Sequence, residues 1–263
     1  MTFHLFAGPC VIESKGHSLE MAHKLKEIVD NYPNIKFYFK SSFDKANRSS
    51  PDSFRGPGLQ NGLKILEEAK KIAPVITDFH EAATADEVAS VVDVLQVPAF
   101  LCRQTDLIVE GAKACAKYKR KFNVKKGQFL SAYELKNVVD KVTPFLDIKD
   151  LFLTERGNSF GYNNLVVDMT GFSIINDMGA ISIFDATHSL QLPGIGKTSG
   201  GKREFAIPLA RAGVAAFAKG LFMEVHDNPS MAKSDASTVL SLELFTKLLE
   251  SVYPVILLNS SPS

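Results

Sequence analysis

The chain has 263 residues, and its 30 Lys and Arg residues nearly balance its 29 Asp and Glu residues, giving a formal net charge of +1. General binding to nucleic acid or to a membrane surface needs a broad basic field, so this balance argues against both. The three cysteines (Cys10, Cys102 and Cys115) are unevenly spaced, and the sequence has neither a signal-peptide pattern nor an apolar run of membrane-spanning length. These features predict a soluble, cytoplasmic protein with reduced thiols.

Short β-branched or aromatic runs alternate with amphipathic segments along the whole chain. The sequence predicts strands at 4–12, 35–41, 75–79, 94–100, 122–128, 151–155, 181–186 and 221–226. It predicts helices at 19–29, 63–71, 85–92, 107–118, 132–142, 165–178, 203–216 and 242–252. Eight β-then-α units in a chain of this length favour a closed (β/α)8 TIM barrel over an open doubly wound sheet. We expect one catalytic domain over residues 1–263.

The predicted loops are unequal in length. Those that lead from a strand to the next helix include long polar segments at 42–62, 189–202 and 227–241, whereas the loop at 71–74 that returns to a strand is short. In a barrel the strand-to-helix loops lie together at the C-terminal face of the strands. The sequence therefore predicts a functional site at that face.

Positively charged side chains follow several of the predicted strands, at Lys40, Lys45, Arg48, Lys125 and Arg156. Cations that converge repel one another, and they persist most readily where a multiply charged anion binds. Arg forks and Lys point charges suit phosphate and carboxylate groups. The sequence therefore favours an anion site. The alternative is that nearby acidic residues neutralise the cations as salt bridges at the rim, namely Asp44, Asp52, Asp78 and Glu155.

A second set of residues offers ligands for a divalent metal, namely Cys10, His188, Glu224 and Asp235. A thiolate, an imidazole and two carboxylates suit Zn²⁺ or Fe²⁺. The residues lack a metal-binding spacing, however, and spacing alone favours a structural interpretation in which Cys10 is a small buried residue and Asp235 caps a helix. Topology supports the metal interpretation, because the first and last strands of a closed barrel are neighbours.

Nine runs of sequence resemble the 3-deoxy-D-manno-octulosonate 8-phosphate synthases, at 7–10, 40–50, 54–58, 102–107, 123–129, 153–157, 160–164, 185–189 and 234–236. The run at 40–50 is the most specific, because it also separates this family from the related 3-deoxy-arabino-heptulosonate 7-phosphate synthases. The resemblance implies a transferase that condenses phosphoenolpyruvate with D-arabinose 5-phosphate and water, in the biosynthesis of the lipopolysaccharide inner core.

The resemblance also implies roles for individual residues. Catalytic roles fall to Lys45, Lys125, His188 and Cys10. Residues that hold phosphoenolpyruvate match Lys40, Ser42, Lys45, Lys125, Gln128 and Arg156, with Gln104 in the same lining. The pentose phosphate matches Asn47, Arg48 and Ser49, with Asp78 near the sugar hydroxyls. Metal-dependent members carry Cys at the position of Cys10 and metal-independent members carry Asn, so the resemblance implies one divalent ion (Zn, Fe, Mn or similar) held by Cys10, His188, Glu224 and Asp235.

Members of the family are typically homotetramers in which a neighbouring subunit helps to close the sugar-phosphate site. Some members have an N-terminal hairpin under the barrel, and the sequence leaves open what closes the bottom here. Two other functions remain open at this point. One is condensation of phosphoenolpyruvate with erythrose 4-phosphate or an amino sugar of the sialic-acid type, and the other is a non-catalytic sensor of sugar phosphates.

Overall fold

The computed structural model describes residues 2–48, 50–194 and 200–260. Eight parallel strands form a closed barrel, and each pairs with its neighbours in chain order until the eighth pairs with the first. The strands are β1 (Phe3–Gly8), β2 (Ile35–Lys40), β3 (Val75–Asp78), β4 (Val94–Val97), β5 (Lys121–Lys125), β6 (Leu151–Glu155), β7 (Ile181–Asp185) and β8 (Gly220–Glu224). The predicted (β/α)8 barrel is confirmed.

Eight helices alternate with the strands. They are α1 (Lys15–Val29), α2 (Leu59–Ala69), α3 (Ala85–Val91), α4 (Thr105–Tyr118), α5 (Lys136–Val142), α6 (Thr170–Asp177), α7 (Ala206–Ala215) and α8 (Leu242–Ser260). Their apolar faces pack on the outside of the barrel, as the 3.6-residue period predicts. None of the helices among the described residues is both long and apolar enough to cross a membrane.

The predicted helix at 165–178 is wrong at its start. Leu165–Val166 forms a short antiparallel strand with Asn158–Ser159, and α6 begins only at Thr170. The side chain of Asp168 accepts hydrogen bonds from the backbone N–H of Thr170 (2.9 Å) and from its hydroxyl (2.6 Å). An Asp side chain that satisfies a free N–H in this way marks a helix start, which the apolar periodicity alone does not reveal.

Several predicted strands also extend too far toward the C-terminal face. The strand predicted at 94–100 ends at Val97 and is followed by a 3-10 turn at Ala99–Leu101, while the strand predicted at 122–128 ends at Lys125. A strand of the barrel ends where its hydrogen-bonded ladder to the partner strand ends. Intrinsic strand propensity does not predict that position. The residues just past these ends are loop residues that surround the site.

Inside the barrel, alternate strand residues point toward the axis and form layers. The middle layer is apolar and consists of Phe6, Tyr38, Ile76, Val94, Phe152, Ile183 and Phe222. Below this layer, toward the N-terminal ends of the strands, lie His4 and two lysines. His4 is 9 % exposed there, Lys36 Nζ lies 5.5 Å from the Tyr38 ring centroid, and Lys121 Nζ lies 5.6 Å from that of Phe152. The apolar layer therefore separates this lower end from the polar residues at the upper end.

Candidate active site

A cavity of about 630 Å³ opens at the C-terminal ends of the strands. Ten residues predicted from the sequence line it, namely Lys40, Lys45, Asn47, Arg48, Asp78, Lys125, Gln128, Arg156, His188 and Asp235. Lys233 lies there as well, so the lining contains six Lys and Arg side chains and only two carboxylates. In a protein of net charge +1, this concentration of positive charge makes the cavity suitable for anions.

Arg156 is a buried cation of the cavity without a carboxylate partner. It is only 6 % exposed, and its guanidinium donates to the side-chain oxygens of Gln128 and, at 3.0 Å, Gln191. Among the described residues, no carboxylate lies within 4.0 Å of it. Burial lowers the pKa of Arg156, although Asp185 and Asp235 oppose this effect from a distance. A buried guanidinium that contacts only neutral amides retains charge with which to bind a carboxylate or a phosphate.

Lys125 is held by a carboxylate that sequence analysis did not assign. Its Nζ lies 2.6 Å from Asp185 Oδ2 and 3.5 Å from the centroid of the Phe222 ring. Burial lowers the pKa of Lys125, and Lys40 lowers it further, while Asp185 raises it. Burial also raises the pKa of Asp185, but His188 and Lys125 outweigh that effect and hold it well below its usual range. Asp185 is therefore an anion that positions both neighbours.

The rim salt bridges proposed as an alternative do not form as expected. Asp44 pairs with Arg55 (Nε to Oδ1, 2.8 Å), and Glu155 pairs with Lys126 (3.4 Å), away from the cavity cations. Asp78 pairs with His80 and accepts from the Ser42 hydroxyl. Lys126 is buried, and its Nζ also donates to Leu130 O at 2.9 Å, which ties down the loop after β5.

Glu224 partly neutralises two further cavity cations, as Asp185 does for Lys125. Its Oε1 lies 3.2 Å from Lys40 Nζ and 3.8 Å from Lys45 Nζ. Burial lowers the pKa of Lys45, but Cys10 and Glu224 outweigh this effect and raise it well above its usual value. Lys45 therefore remains positively charged at neutral pH.

Arg48 occupies the outer part of the cavity and connects two loops. Its guanidinium donates to Phe54 O (2.9 Å) in its own loop, and to Ser234 Oγ (2.7 Å) and Lys233 O (3.0 Å) in the loop after β8. No carboxylate of the described chain lies within 4.0 Å of it. Arg48 and Lys233 are therefore a second group of cations, placed beyond the buried Lys40, Lys125 and Arg156.

The four predicted metal ligands lie together at the seam between β1, β7 and β8. Cys10 Sγ lies 2.9 Å from Asp235 Oδ2, and these two residues and Glu224 each offer a ligand atom within 4.8 Å of the others. His188 lies beside them, with Nε2 3.6 Å from Glu224 Oε1. The β1–β8 pairing places Gly8 opposite Glu224, which brings Cys10 to the group. Glu224 Oε2 is buried without a hydrogen-bond partner among the described residues.

The structure around this group fits a cation. Asp185 Oδ2 lies 2.8 Å from His188 Nδ1, at ion-pair distance without hydrogen-bond alignment, and Nε2, which faces Glu224, is the nitrogen available as a ligand. Burial and the carboxylates of Glu224 and Asp235 raise the pKa of Cys10, and a bound divalent ion would reverse this effect because it stabilises the thiolate. The interpretation of Asp235 as a helix cap is wrong, since α8 begins only at Leu242.

Asp235 has a backbone conformation that ordinary residues avoid. Its φ is 51°, in the left-handed region, and its side chain accepts from Gln191 Nε2 at 2.7 Å and from Ser234 Oγ at 2.9 Å. Such strain costs of order 1–3 kcal/mol and persists where the surroundings impose it, often at functional sites.

Gln191 links the ligand group to Arg156, because its Nε2 donates to Asp235 and its side-chain oxygen accepts from the Arg156 guanidinium.

The remaining predicted residues lie elsewhere. Ser42 is buried beneath the cavity, as are Cys10 and Glu224. Gln104 is exposed before the start of α4 and does not line the cavity, which corrects its expected position: the chain turns outward through the 3-10 turn after β4. Ser49 lies outside the described residues.

Besides Lys233, sequence reasoning did not find three residues of the site, namely Gln96, Asp185 and Gln191. Gln96 is on β4 and lines the cavity, and it accepts from Asn123 Nδ2 at 2.8 Å. The available signal for Gln96 was a polar side chain inside a predicted apolar strand. For Asp185 and Gln191 it was closeness to His188 in the sequence.

Comparison with known proteins agrees with this geometry. A model of the DAHP synthetase I family matches residues 1–255. The chain belongs to that family. It is 51 % identical over 258 residues to a protein of Burkholderia multivorans and 53 % identical over 251 residues to one of Xanthomonas campestris pv. campestris. These alignments cover 95 % and 94 % of this chain and 89 % of each relative. Both relatives are named 2-dehydro-3-deoxyphosphooctonate aldolase, so the family expected from the motifs is confirmed.

We predict that Arg156→Ala weakens the binding of phosphoenolpyruvate about 10- to 100-fold. The change removes charge-assisted hydrogen bonds worth about 1.5–3 kcal/mol, and each 1.4 kcal/mol is tenfold in affinity. Isothermal titration measures the effect. Arg211→Ala, on the exposed side of α7, is the matched control and should bind normally. Equal affinity in the two variants would show that the amides of Gln128 and Gln191 already satisfy Arg156.

We predict that Asp185→Asn weakens Co²⁺ binding at Cys10 about 10- to 100-fold, as loss of a carboxylate that orients a ligand histidine does elsewhere. The thiolate-to-cobalt charge-transfer absorption reports occupancy of this site. Asp150→Asn is the control, because it removes the carboxylate 2.5 Å from Lys121 at the other end of the barrel. If both variants bind cobalt as the unmodified protein does, Asp185 does not orient His188.

Proposed function

We propose that this chain condenses phosphoenolpyruvate with D-arabinose 5-phosphate and water, giving 3-deoxy-D-manno-octulosonate 8-phosphate and inorganic phosphate, in lipopolysaccharide biosynthesis. The single observation that carries the proposal is the placement of two groups of cations and a metal-ligand group around one cavity. The identity of 51–53 % to 2-dehydro-3-deoxyphosphooctonate aldolases supports the same reaction.

The inner group of cations suits phosphoenolpyruvate. Arg156 and Lys125 lie on neighbouring strand ends, β6 and β5, and Lys40 lies across the cavity on β2. A ligand with a carboxylate and a phosphate on adjacent atoms satisfies several of these charges at once. Gln128 and Gln191 hold the guanidinium from the sides and so fix the direction in which it presents its remaining N–H groups.

The outer group suits the pentose phosphate. Arg48, Lys233 and Asn47 lie toward the mouth of the cavity, and Asp78 lies deeper, where its carboxylate would accept from sugar hydroxyls. We include Ser49 in the phosphate-binding stretch by resemblance. An extended sugar phosphate with its phosphate at the mouth would place its aldehyde toward Lys45 and the enol carbon of the first substrate. Such a pose brings the reacting carbons together before reaction.

The reaction forms one carbon–carbon bond and one carbon–oxygen bond, from water to C2, and it breaks the carbon–oxygen bond between C2 and the phosphate. C3 of phosphoenolpyruvate attacks the aldehyde carbon, whose oxygen takes up a proton, and water adds to C2 and loses a proton. The resulting hemiketal phosphate expels phosphate as C2 becomes a ketone. Lys45 stays charged in the site, so it stabilises negative charge on the aldehyde oxygen. Lys125 stabilises the phosphate that leaves.

We propose that Cys10, His188, Glu224 and Asp235 hold one divalent ion such as Zn²⁺, Fe²⁺ or Mn²⁺. A bound ion would supply a Lewis acid next to the reacting carbons. Cys10, together with Lys45, Lys125 and His188, is therefore assigned to catalysis. Asp185 keeps Nε2 of His188 directed at Glu224, and Gln191 keeps the Asp235 side chain beside Cys10.

We also propose a homotetramer of single-domain subunits. The strands and helices from Phe3 to Ser260 form one continuous α/β unit. Several large apolar side chains in the strand-to-helix connections are exposed, namely Phe54 and Phe100, which line the cavity, and Phe129, Tyr133, Phe160 and Tyr162. Tyr162 is 99 % exposed. Grouped exposed aromatic residues are typical of protein interfaces, and a neighbouring subunit would cover them.

We expect arabinose 5-phosphate to be turned over much faster than erythrose 4-phosphate, because the relatives are named for an eight-carbon product, which needs a five-carbon aldose to join the three carbons of phosphoenolpyruvate. Release of inorganic phosphate from phosphoenolpyruvate with each aldose measures this preference. Preference for erythrose 4-phosphate would overturn the substrate assignment. Inactivity of reduced, metal-loaded protein with every aldose tried would favour a sugar-phosphate sensor instead.

We expect Cys10→Ala to lose its metal and to lower turnover by at least about 100-fold, because Lewis-acid stabilisation is worth several kcal/mol. Cys10→Asn imitates the metal-independent branch of the family, so it should keep part of the activity and become insensitive to chelators. Cys115→Ala changes a buried cysteine of α4 and is the control. Full activity of exhaustively chelated, metal-free protein would overturn the assignment of the four ligands.

A further inference from the structure

A second group of histidines and carboxylates lies outside the cavity, between β1, α1 and β8. It comprises Glu13 in the loop after β1, His17 in the first turn of α1, and His226 and Asp227 just after β8. None of these residues lines the catalytic cavity or belongs to the Cys10 group. The proposed reaction therefore gives them no role.

Asp227 orients both imidazole rings. Its Oδ1 lies 3.2 Å from His17 Nε2 and 3.0 Å from His226 Nδ1, and the two ring centroids are 4.5 Å apart. The contact with His17 has hydrogen-bond geometry and that with His226 is an ion-pair contact, and in each ring the other nitrogen faces away from Asp227. Those nitrogens, His17 Nδ1 and His226 Nε2, are buried and have no hydrogen-bond partner among the described residues.

Glu13 supplies an oxygen on the same side. Its Oε1 lies 3.3 Å from His226 Nε2, without the alignment of a hydrogen bond, and it accepts from the backbone N–H of Lys233 at 2.8 Å. One ligand atom from each of Glu13, His17 and His226 lies within 4.8 Å of the others. The His226 side chain is only 6 % exposed.

The backbone N–H of Asn228 lies near two acceptors, Nδ1 of His226 and Oδ1 of Asp227, and this contact bears on which nitrogen of His226 carries the proton. This N–H lies 2.9 Å from His226 Nδ1 and 3.0 Å from Asp227 Oδ1. The N–H has hydrogen-bond geometry to both acceptors, and metal binding at Nε2 requires the tautomer whose proton is on Nδ1, 3.0 Å from Asp227 Oδ1. In the other tautomer the proton lies on Nε2, and that nitrogen cannot bind a metal.

We propose that Glu13, His17 and His226 form a second site for a first-row divalent transition metal such as Zn²⁺, with Asp227 holding the two rings. Two imidazoles and a carboxylate select such an ion over Mg²⁺ or Ca²⁺, which prefer oxygen ligands. Metal–ligand bonds of about 2.0–2.1 Å place tetrahedral ligands roughly 3.4 Å apart. The 3.3 Å between His226 Nε2 and Glu13 Oε1 agrees with that spacing.

An ion in this site would stabilise one wall of the catalytic cavity. Glu13 already binds Lys233 N, and Lys233 O and Ser234 Oγ bind the guanidinium of Arg48. Asp235 follows directly in the same loop. The second site therefore joins the start of α1 to the loop that carries a catalytic ligand and a substrate cation, and it acts through position only.

The test is a cobalt titration of five proteins, the unmodified chain, three single variants and one double variant, followed by metal content and absorption. The unmodified protein should bind about two equivalents, one of which gives the thiolate charge-transfer band. Cys10→Ala should bind one equivalent without that band. His17→Gln should lose one equivalent and keep the band. His23→Gln, an exposed histidine on the same helix, is the control and should bind two.

The two metal proposals fail separately in this experiment. The second site is overturned if folded Cys10→Ala binds no cobalt. It is also overturned if the double variant Cys10→Ala/His17→Gln binds as much cobalt as Cys10→Ala. Either result leaves the catalytic site unaffected. If Cys10→Ala does not fold, His17→Gln decides alone: a stoichiometry equal to that of His23→Gln overturns the proposal. A missing charge-transfer band in the unmodified protein would overturn the Cys10 assignment only.

Discussion

Glu224 occupies the position on which the rest of the site depends. It is completely buried at the end of β8, and its Oε1 lies within 4 Å of Lys40, Lys45 and His188. Burial raises its pKa, but His188 and the two lysines outweigh this effect and lower it, so the residue remains an anion. An isolated buried charge is very costly, and removal of one partner from a buried ion pair costs about 3–5 kcal/mol. The cations around Glu224 are therefore held inside the barrel by the same carboxylate that a bound metal ion would contact.

The same physical arrangement occurs twice around the end of β8. Asp185 holds the ring of His188 toward Glu224, and Asp227 holds the rings of His17 and His226 toward Glu13. In each case a carboxylate binds one nitrogen of a histidine and leaves the other nitrogen available. Both arrangements need parallel strands that end at one level, because only then do residues far apart in sequence meet. The apolar layer below them, which includes Phe152 and Phe222, provides a rigid floor.

The cations could be predicted because their pattern is local. Lys40, Lys125 and Arg156 each come at the end of an apolar run, and a strand that ends at the C-terminal face must present them to the site. The partners of these cations could not be predicted in the same way. Glu155 is adjacent to Arg156 in sequence, but it pairs with Lys126, whereas Arg156 contacts Gln191 from the following β/α unit. Strand alternation directs neighbours to opposite sides, and the register between strands then selects the contacts.

The sequence by itself determined the number and order of the β/α units, the face that carries the site and most of the charged residues in it. Each of these follows from hydrophobic period and from residue type near a strand end, which are properties of short segments. Only the tertiary structure decided that Cys10 lies 2.9 Å from Asp235, that Gln104 faces away from the cavity and that His17 meets His226. These facts depend on closure of the barrel between β1 and β8 and on the paths of loops, where the free energy comes from contacts between distant segments rather than from local preference.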